Sequence, residues 1–392
     1  MSGNSEPMHS ASDLKQMQSL PLEAKILMTK ERIRVWYESW TRFEIYDKST
    51  GKTRFATIDT RDYSAEPKMK DSEYIESAFP GQVYVSFSGG KDSTVLKHIV
   101  DSMYDDVPAL FVNTGLEYPE IQKFAMSQPN VITVRPDMRF DEVIKKYGYP
   151  VISKEVSQRI YEWNNSDRSH SLQMRWENKR SDGTEKAPRY HISKWTFLRD
   201  SDIPVSHKCC DVMKKKPAKL YEKQTGRKPI LGILAEESMM RYYSWLKSGC
   251  NAFDGKRPTS NPLSFWTEQD VLHYIKKYNV PYCPVYGNIR VKQNDDNSHL
   301  CEGQMNLIDY LGCYEPEDML ETSGCYRTGC VFCMFGCHLE KEPNRFQRLK
   351  ETHPRQYEYC IGGGEMVDGK WQPNKEGLGL GHVLDYIGVK YK

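Results

Sequence analysis

A glycine-rich loop between two patterned runs constrains the fold of this 392-residue chain more than any other feature. The stretch SFSGGKDSTV occupies residues 86–95. The apolar run QVYVSF leads into it, and the run STVLKHIVDSMY begins inside it. The first run predicts a buried strand, and the second has the apolar spacing of a helix. The sequence therefore predicts a strand, a tight loop and a helix in direct succession.

The loop has the chemistry of an anion site, although its spacing differs from the familiar Gly-x₄-Gly-Lys-Ser/Thr pattern. Its glycines let the backbone approach a ligand, and the first N–H groups of a helix carry partial positive charge. The serines add hydroxyl donors and the lysine adds a charge. Asp92 would repel phosphate unless it caps the helix or binds Mg²⁺. The candidate phosphate-binding residues are Ser88, Gly89, Gly90, Lys91, Asp92 and Ser93.

Further apolar runs alternate with helical patterns after the loop. This alternation predicts βαβ units and an α/β fold with a doubly wound, mostly parallel sheet and flanking helices. At the end of the chain a Cys-rich C-terminal region follows. The predicted strands are 82–87, 109–113, 131–134 and 229–234; the predicted helices lie around 119–127, 140–148 and 267–278, where Thr267 is the expected N-cap.

The linear organisation suggests three parts. Residues 1–78 form an N-terminal tail, helix and insertion, in which residues 1–20 are polar and expected to be disordered. A helix is predicted from Pro21 to Trp40, and a hairpin turn at Gly51. Residues 79–300 form the nucleotide-binding domain, and 301–392 the Cys-rich region.

Composition bounds the class of protein. The formal net charge is +2, which neither requires nor excludes nucleic acid. No apolar run approaches a membrane span, and the first residues lack the pattern of a secretory signal. We therefore expect a cytoplasmic protein without a membrane partner, whose 11 cysteines serve metal or redox chemistry rather than disulfides.

The cysteines cluster in two places. Cys330 and Cys333 form a Cys-x₂-Cys motif, with Cys325 before it and Cys337 after it, while Cys209 and Cys210 are adjacent in sequence. Thiolates at this spacing suit zinc or an iron–sulfur cluster, and spacing alone does not separate these from uncoordinated thiols. A site using both adjacent cysteines needs a kinked segment. Cys250 is a further candidate thiol, and the cysteines interpreted as structural are Cys283, Cys301, Cys313 and Cys360.

An insertion at 151–208 mixes basic and aromatic residues. Its basic residues alternate with Trp163, Trp176, Tyr190 and Trp195. This mixture suits nucleic acid through phosphate pairing and base stacking, and it equally suits a charged surface insertion. Nucleic acid is therefore an expected partner under the first interpretation, whereas the second interpretation requires none.

Several motifs together resemble one superfamily. SGGKDS at 88–93 resembles the PP-loop of ATP pyrophosphatases. LFVNTGLEYPE at 110–120, CCDVMKKKP at 209–217, GILAEESMMR at 232–241 and PLSFWTEQDVLHYIKKYNVPYCPVY at 262–286 are similar to segments of the phosphoadenylylsulfate (PAPS) reductase branch. The resemblance covers roughly residues 80–290 in order and implies an adenine-nucleotide α-hydrolase-like fold. It includes the ATP pyrophosphatases of DNA phosphorothioation.

The chain departs from that branch at three points. Asn113 stands where the branch has Asp, Leu234 stands where it has Arg, and its C-terminal Glu-Cys-Gly-His segment is absent. In PAPS reductases the PP-loop motif is not intact, because their nucleotide carries no β-phosphate. The loop here is intact, which favours ATP as the substrate.

The resemblance implies roles for individual residues. The loop would hold the β- and γ-phosphates, with Mg²⁺, and Lys91 and Asp92 would act in catalysis together with Arg241 at the anionic substrate. Residues near the adenosine would be Asn113, Thr114 and Gly115, with Glu237 also at the nucleotide. A [4Fe–4S] cluster would be bound by Cys209, Cys210, Cys330 and Cys333, with Cys325 and Cys337 as substitutes and zinc as the alternative metal.

The sequence therefore predicts an ATP pyrophosphatase that adenylates a substrate, with the cluster supporting sulfur transfer or redox chemistry. Sulfur modification of nucleic acid is one acceptor class. The alternatives are a PAPS or APS reductase-like enzyme of sulfate assimilation, and a non-catalytic subunit that binds nucleotide and cluster. Expected partners are ATP and a sulfur donor or redox protein. The oligomeric state stays open, with a homodimer as one option.

Overall fold

The computed structural model describes residues 8–61, 65–255, 257–292 and 318–392. Its first elements are two helices and an antiparallel sheet of order β2-β1-β3. Their bounds are α1 (Ala11–Gln18), α2 (Leu22–Glu38), β1 (Trp40–Asp47), β2 (Lys52–Asp59) and β3 (Glu73–Phe79). The hairpin between β1 and β2 turns at Gly51, whose φ is +66°, so the predicted turn is confirmed.

Residues 11–18 contradict the expected disorder of the N-terminus. The Ser10 side chain accepts a hydrogen bond from the backbone N–H of Asp13, and the Asp13 carboxylate accepts one from the N–H of Ser10. This reciprocal capping box stabilises the first turn, and Leu14 is buried. A short capping signal and one apolar anchor outweighed the polar composition on which the expectation was based.

The middle of the chain contains the predicted alternation of strands and helices. In chain order the next elements are β4 (Val83–Phe87), α3 (Lys91–Asp101), β5 (Ala109–Val112), α4 (Pro119–Ser127), β6 (Val131–Val134), α5 (Phe140–Tyr147), β7 (Val151–Ile152), α6 (Lys154–Asn165), α7 (His170–Trp176), α8 (Thr196–Arg199) and α9 (Lys216–Thr225). The strands and helices expected before residue 150 are confirmed.

The rest of the chain continues the sheet and then becomes irregular. Its elements are β8 (Lys228–Leu231), α10 (Met239–Ser248), β9 (Asn251–Ala252), β10 (Thr259–Ser260), α11 (Glu268–Tyr278), β11 (Ile289–Val291), β12 (Leu320–Thr322), β13 (Met334–Phe335), α12 (Arg345–Thr352), α13 (Pro354–Ile361), β14 (Glu365–Val367), β15 (Lys370–Gln372) and α14 (Leu380–Tyr386). Thr267 caps α11 as expected, with Asp270 as its capping-box partner.

The central sheet has the order β6-β5-β4-β8-β10-β9. Strand β4 is parallel to β5 and to β8, β8 is parallel to β10, and the short β9 is antiparallel to β10. The chain leaves β4 toward β5 and later returns to its other side with β8. The loop after β4 therefore lies at a topological switch point, where open α/β sheets bind ligands. The predicted α/β class is confirmed.

The chain divides into two compact units built from alternating segments. Unit 1 comprises Met1–Phe111, Pro119–Thr133 and Tyr221–Thr328, and unit 2 comprises Val112–Tyr118, Val134–Leu220 and Gly329–Lys392. Each unit gathers segments that are separated in the sequence. The units therefore do not test the three predicted consecutive domains, which stay a prediction.

Each unit has its own apolar core. In unit 1, Ile33 and Trp36 of α2 are fully buried in the same cluster as Val85 of β4 and Trp266. In unit 2, the core includes Tyr149, Met334, Phe346 and Leu384. Among the described residues, no helix combines the length and apolar content needed to cross a membrane.

Candidate functional site

The loop after β4 has the geometry of an anion site. Gly89 has a φ of +72°, which favours glycine, and a Cβ there would also lie in a tight contact, 3.0 Å from Cγ2 of Ile121. Gly90 is the N-cap of α3, and its carbonyl accepts hydrogen bonds from the hydroxyls of Ser93 and Thr94 at 2.9 Å. These bonds fix the first turn of α3. Its leading N–H groups have no partner inside the helix, and apart from that of Lys91, which donates to the hydroxyl of Tyr286, they could serve a ligand.

Ser88 and Ser93 form hydrogen bonds with each other within the loop. The Ser88 and Ser93 hydroxyls lie 3.0 Å apart, and the Ser88 N–H donates to the Ser93 hydroxyl at 3.2 Å. The two predicted serine positions therefore shape the loop in addition to offering donors to a phosphate.

Lys91 is buried at the start of α3, with 5% of its surface exposed. Its ammonium pairs with Glu268 and donates to the carbonyl of Tyr326 at 2.8 Å. Its backbone N–H donates to the hydroxyl of Tyr286 at 3.2 Å, and that hydroxyl lies 2.6 Å from the hydroxyl of Thr328. Tyr326 therefore contacts the lysine and Thr328 contacts the hydroxyl that binds its N–H, and sequence reasoning assigned neither residue a role.

Asp92 is the other unusual group of the loop. Its Oδ1 is buried and makes no hydrogen bond with any described residue. Burial raises the pKa of this carboxyl, while neighbouring Lys91 lowers it and Glu268 raises it. The ionised form therefore lacks compensation here, and a cation or a proton would supply it.

A cavity of about 340 Å³ opens beside the loop within unit 1. This volume lies in the range of small-molecule sites. Its lining holds four carboxylates and two cations, the carboxylates in excess. The lining residues are Lys91, Asp92, Leu234, Glu236, Glu237, Glu268, Tyr326 and Arg327.

Two arginines share one carboxylate at this cavity. Arg241 and Arg327 both pair with Glu237. Burial lowers the pKa of Arg241, and the positive charge of Arg327 lowers it further. Burial also raises the pKa of Glu236, against the effect of the hydrogen bond that its carboxylate accepts from the N–H of Glu268. The predicted pair Glu237–Arg241 is therefore present, and Arg327 extends it into a cluster able to bind an anion.

The predicted adenosine residues belong to unit 2. The Asn113 side-chain oxygen accepts from the N–H of Gly115 at 3.1 Å, and the Thr114 hydroxyl donates to Glu117 at 2.7 Å. These bonds form a turn at the end of β5. The role of these residues at the nucleotide stays a prediction.

The four predicted cluster cysteines line one recess in unit 2. Cys209, Cys210, Cys330 and Cys333 surround it together with Leu116, Phe140, Pro150, Met213 and Lys214. The Sγ atoms of Cys209 and Cys210 lie 3.9 Å apart, and a π-helical turn at Asp211–Lys215 follows them directly. Such turns interrupt α-helices at functional sites, and this one matches the expected kink beside the adjacent cysteines.

The thiols of the recess differ in acidity. The Cys209 side chain and the positive charge of Lys214 lower the pKa of Cys210 to about 6, against the effect of burial. Burial raises the pKa of Cys330 to about 11. Burial alone would lower the pKa of Lys214, but Cys330 and Glu117 produce a net rise. The recess therefore pairs one cation with thiols that ionise unequally.

The four thiols are suitable ligands for a thiolate-bound metal centre, but their present spacing does not form a complete metal site. The space among the thiols measures about 20 Å³. Among the residues that the structure describes, no three His, Cys, Asp or Glu side chains are grouped to hold one metal ion. A four-iron cluster would require the thiols to move apart. Arg345 stabilises the segment that contains Cys330 and Cys333, because its guanidinium donates to the Cys333 carbonyl at 2.9 Å and pairs with Glu340.

The other cysteines lie elsewhere. Cys337 is buried in unit 2, where burial raises its pKa to about 12, and Cys325 belongs to unit 1. Cys283 and Cys360 are fully buried, and Cys250 accepts a hydrogen bond from Ser264. Cys301 and Cys313 lie outside the described residues.

Of the four aromatic residues predicted in the 151–208 insertion, Trp176 is buried, Trp163 and Trp195 are half-buried and Tyr190 is exposed. The guanidinium of Arg199 lies 4.5 Å from the ring centroid of Trp163 and 4.8 Å from that of Trp176. Arg168 stacks on Trp163 at 4.6 Å, and Trp176 is buried. These stacks concern Trp163 and Trp176 only, and the nucleic-acid reading of the insertion stays a prediction.

Comparison with known proteins gives the family. The model of the phosphoadenosine phosphosulfate reductase domain matches residues 82–334, which is well over half of the chain. The chain therefore belongs to the phosphoadenosine phosphosulfate reductase domain family.

Two individual proteins are similar. An uncharacterized protein of Methanocaldococcus jannaschii is 33% identical over 88 residues, which are 21% of this chain and 20% of that protein. The chain thus spans about a fifth of this curated relative. The crystal structure of phosphoadenylyl-sulfate reductase from Candida auris, a phosphate complex, matches at a TM-score of 0.28 and 18% identity, covering 53% of this chain and 76% of that one. A likeness at this score adds no weight to the assignment.

Proposed function

We propose that this family member is an ATP pyrophosphatase that adenylates an acceptor. An acceptor oxygen would attack the α-phosphorus, the α–β P–O bond would break, and pyrophosphate would leave with the bonding electrons. The supporting observation is the intact loop, in which Gly89, Gly90 and Ser93 open a helix beside the buried Lys91. Such a site suits the β- and γ-phosphates of ATP, which PAPS lacks at this position.

Magnesium is part of this proposal because the cavity has more acids than bases. Four carboxylates against Lys91 and Arg327 would repel a triphosphate. Mg²⁺ commonly uses one or two carboxylates and completes its shell with phosphate oxygens and water. The unpartnered Oδ1 of Asp92 suits this use, and Glu236 is a second candidate ligand.

The residues around the phosphates would act as a preorganised electrostatic clamp. Lys91 would exchange its Glu268 partner for phosphate oxygens, which places a positive charge where the leaving pyrophosphate develops negative charge. Arg241 and Arg327 would bind the remaining anionic groups once Glu237 yields them.

A [4Fe–4S] cluster bound by Cys209, Cys210, Cys330 and Cys333 would support redox chemistry or sulfur transfer. The four thiols and Lys214 around one recess support this proposal. Nucleic acid is the proposed acceptor class, with a sulfur donor or redox protein as partner, in the cytoplasm.

The test is formation of pyrophosphate and AMP from ATP by cluster-replete protein, with and without DNA, tRNA, sulfate and APS. We expect both products in an acceptor-dependent reaction. Binding of PAPS or APS without any binding of ATP would favour a reductase of sulfate assimilation. ATP binding without turnover under every condition would favour a non-catalytic subunit.

A further inference from the structure

The ammonium of Lys91 is held by other groups of unit 1. Its charge pairs with the carboxylate of Glu268, and it donates a hydrogen bond to the carbonyl of Tyr326 at 2.8 Å. The ring centroid of Tyr326 lies 4.9 Å from the same nitrogen, and 5% of Lys91 is exposed. An ammonium has three donors, and two of them are already used here. The lysine therefore has little left for a phosphate in this conformation.

The two groups that hold the lysine also contact each other. The Tyr326 hydroxyl forms a hydrogen bond with the carboxylate of Glu268, which raises the pKa of the phenol to about 12. Tyr326 thus contacts Lys91 with its carbonyl and ring, and contacts Glu268 with its hydroxyl. Because Tyr326 is 64% exposed, little packing opposes movement of its side chain. The arrangement closes over the lysine and is able to open.

The chain beside each of these groups is anchored within unit 1. The N–H of Gly324 donates to the carbonyl of Tyr286 at 2.9 Å, and a Cβ at Gly324 would lie 2.5 Å from the carbonyl oxygen of Val285. Directly after the glutamate, the side-chain amide of Gln269 donates to the Leu320 carbonyl at 3.0 Å and accepts from its N–H at 2.8 Å. The backbone around the lysine is therefore fixed, and opening is a movement of side chains.

We propose that Glu268 and Tyr326 form a latch that withholds Lys91 from the phosphates until the polyphosphate of ATP displaces it. The inference rests on the proposed function, because it takes the loop at 88–93 as the site of the β- and γ-phosphates. A ligand that requires the open form binds with an affinity reduced by the fraction of open molecules. Glu268 and Tyr326 act through Lys91 and are therefore positioning residues.

Two variants open the latch in different ways. Glu268→Gln removes the charge that pairs with Lys91 and keeps the shape of the side chain. Tyr326→Ala removes the ring and the hydroxyl without changing a charge at neutral pH. Simple repulsion between a carboxylate and phosphate would explain tighter binding by the first variant but not by the second. A damaged fold would weaken binding in both.

The experiment measures binding of inorganic pyrophosphate, in the presence of Mg²⁺, to the full-length protein by isothermal titration calorimetry. We expect Glu268→Gln to bind it about tenfold more tightly and Tyr326→Ala about threefold more tightly, because each variant raises the fraction of molecules with an open lysine. The matched controls are Glu321→Gln, whose carboxylate pairs with Arg290, and Tyr243→Ala, an exposed ring on α10. Both controls should bind pyrophosphate as the unaltered protein does.

Three outcomes overturn the latch. They are unchanged or weaker binding by Glu268→Gln, unchanged or weaker binding by Tyr326→Ala, and absence of pyrophosphate binding in every variant. Weaker binding by Glu268→Gln would assign its carboxylate to the metal, and weaker binding by Tyr326→Ala would assign its ring to the ligand.

ATP cleavage by the unaltered protein is assayed separately and decides the proposed function. Cleavage together with unchanged pyrophosphate affinities would remove the latch alone. Tighter pyrophosphate binding by both variants without any cleavage of ATP would support the latch and remove the pyrophosphatase.

Discussion

The two recesses of this protein both contain a lysine, but they compensate its charge differently. In the charged cavity of unit 1, Lys91 is paired with the carboxylate of Glu268. In the thiol recess of unit 2, Lys214 faces Cys330 and Cys210, which are neutral until they lose a proton. Carboxylates carry their charge at every physiological pH, whereas thiols acquire it when a metal or a low pKa favours the thiolate.

Under the proposed function, this difference gives each recess a different kind of ligand. The charged cavity has excess carboxylate and would take a cation together with a polyanion. The thiol recess has one cation, apolar walls and four sulfurs, and would take a centre that binds thiolates. The proposed function needs both the cation with its polyanion and the thiolate-bound centre. Variants of the two recesses can remove each of these separately.

The largest expected effect is loss of metal from the thiol recess. Cys330→Ala should reduce iron in anaerobically reconstituted protein from about four atoms per chain to fewer than one, because one cluster corner loses its thiolate. Cys250→Ala, which removes a buried thiol of unit 1, is the control and should keep its iron. Full iron in the Cys330 variant, or one zinc and no iron in the unaltered protein, contradicts the assignment.

The corresponding change in the charged cavity removes its lysine. Lys91→Met should lower pyrophosphate formation about 100- to 1,000-fold, because the developing charge loses its nearest fixed cation. Lys97→Met is matched, since Lys97 is buried in the same helix and pairs with Asp101. Comparable rates for the two variants would show that Lys91 is not at the phosphates. Iron content, measured in parallel, should stay unchanged in both.

A smaller effect is expected at the mouth of the charged cavity. Arg327→Ala should raise the KM for ATP about tenfold and change kcat less, because one charge-assisted contact to the nucleotide is lost. The control is Arg290→Ala, whose guanidinium pairs with Glu321 outside this cavity. A pure kcat effect, or no effect, would place the nucleotide elsewhere.

The smallest effect concerns stability and pH. The pKa of Asp92 is raised in the folded state, chiefly by burial, so ionisation destabilises the fold. Its cost is absent at low pH and appears as pH rises from the unfolded pKa through the folded one. Asp92→Asn should therefore raise Tm by about 2–4 °C at pH 8, with a smaller gain at pH 4, while ATP cleavage falls.

The matched control for this variant is Asp105→Asn, an exposed carboxyl. Melting curves at both pH values, without Mg²⁺ or ATP, provide the measurement. A lower Tm for Asp92→Asn at pH 8, or an equal gain at pH 4, would mean that the native carboxylate is already compensated.

Prediction from the sequence succeeded where signals are local. The apolar run, two glycines and helical run predicted β4, the loop and α3, and the capping box predicted the start of α11. It failed at residues 11–18, where composition was weighed above the Ser10 cap. The candidate loop, the pair Glu237–Arg241 and the four recess cysteines were all named from motifs.

Tyr326 and Arg327 show what motifs missed. They are not spaced as a recognisable pattern, and the carbonyl of Tyr326 reaches Lys91 across 235 positions of sequence. The aromatic residues make the same point. Trp163 and Trp176 in the insertion and Phe55 and Phe79 in the sheet all stack with arginines, yet the structure buries Trp176 and exposes Phe55.

The sequence by itself determined the α/β class, the glycine-rich loop with its candidate phosphate-binding residues and the cysteine pairs, because these depend on residue order over a few turns or strands. Only the tertiary structure decided which residues complete the charged cavity and which aromatic rings face solvent. Those outcomes depend on packing between distant segments, and the periodicity of a segment specifies which face is apolar but not which neighbour covers it.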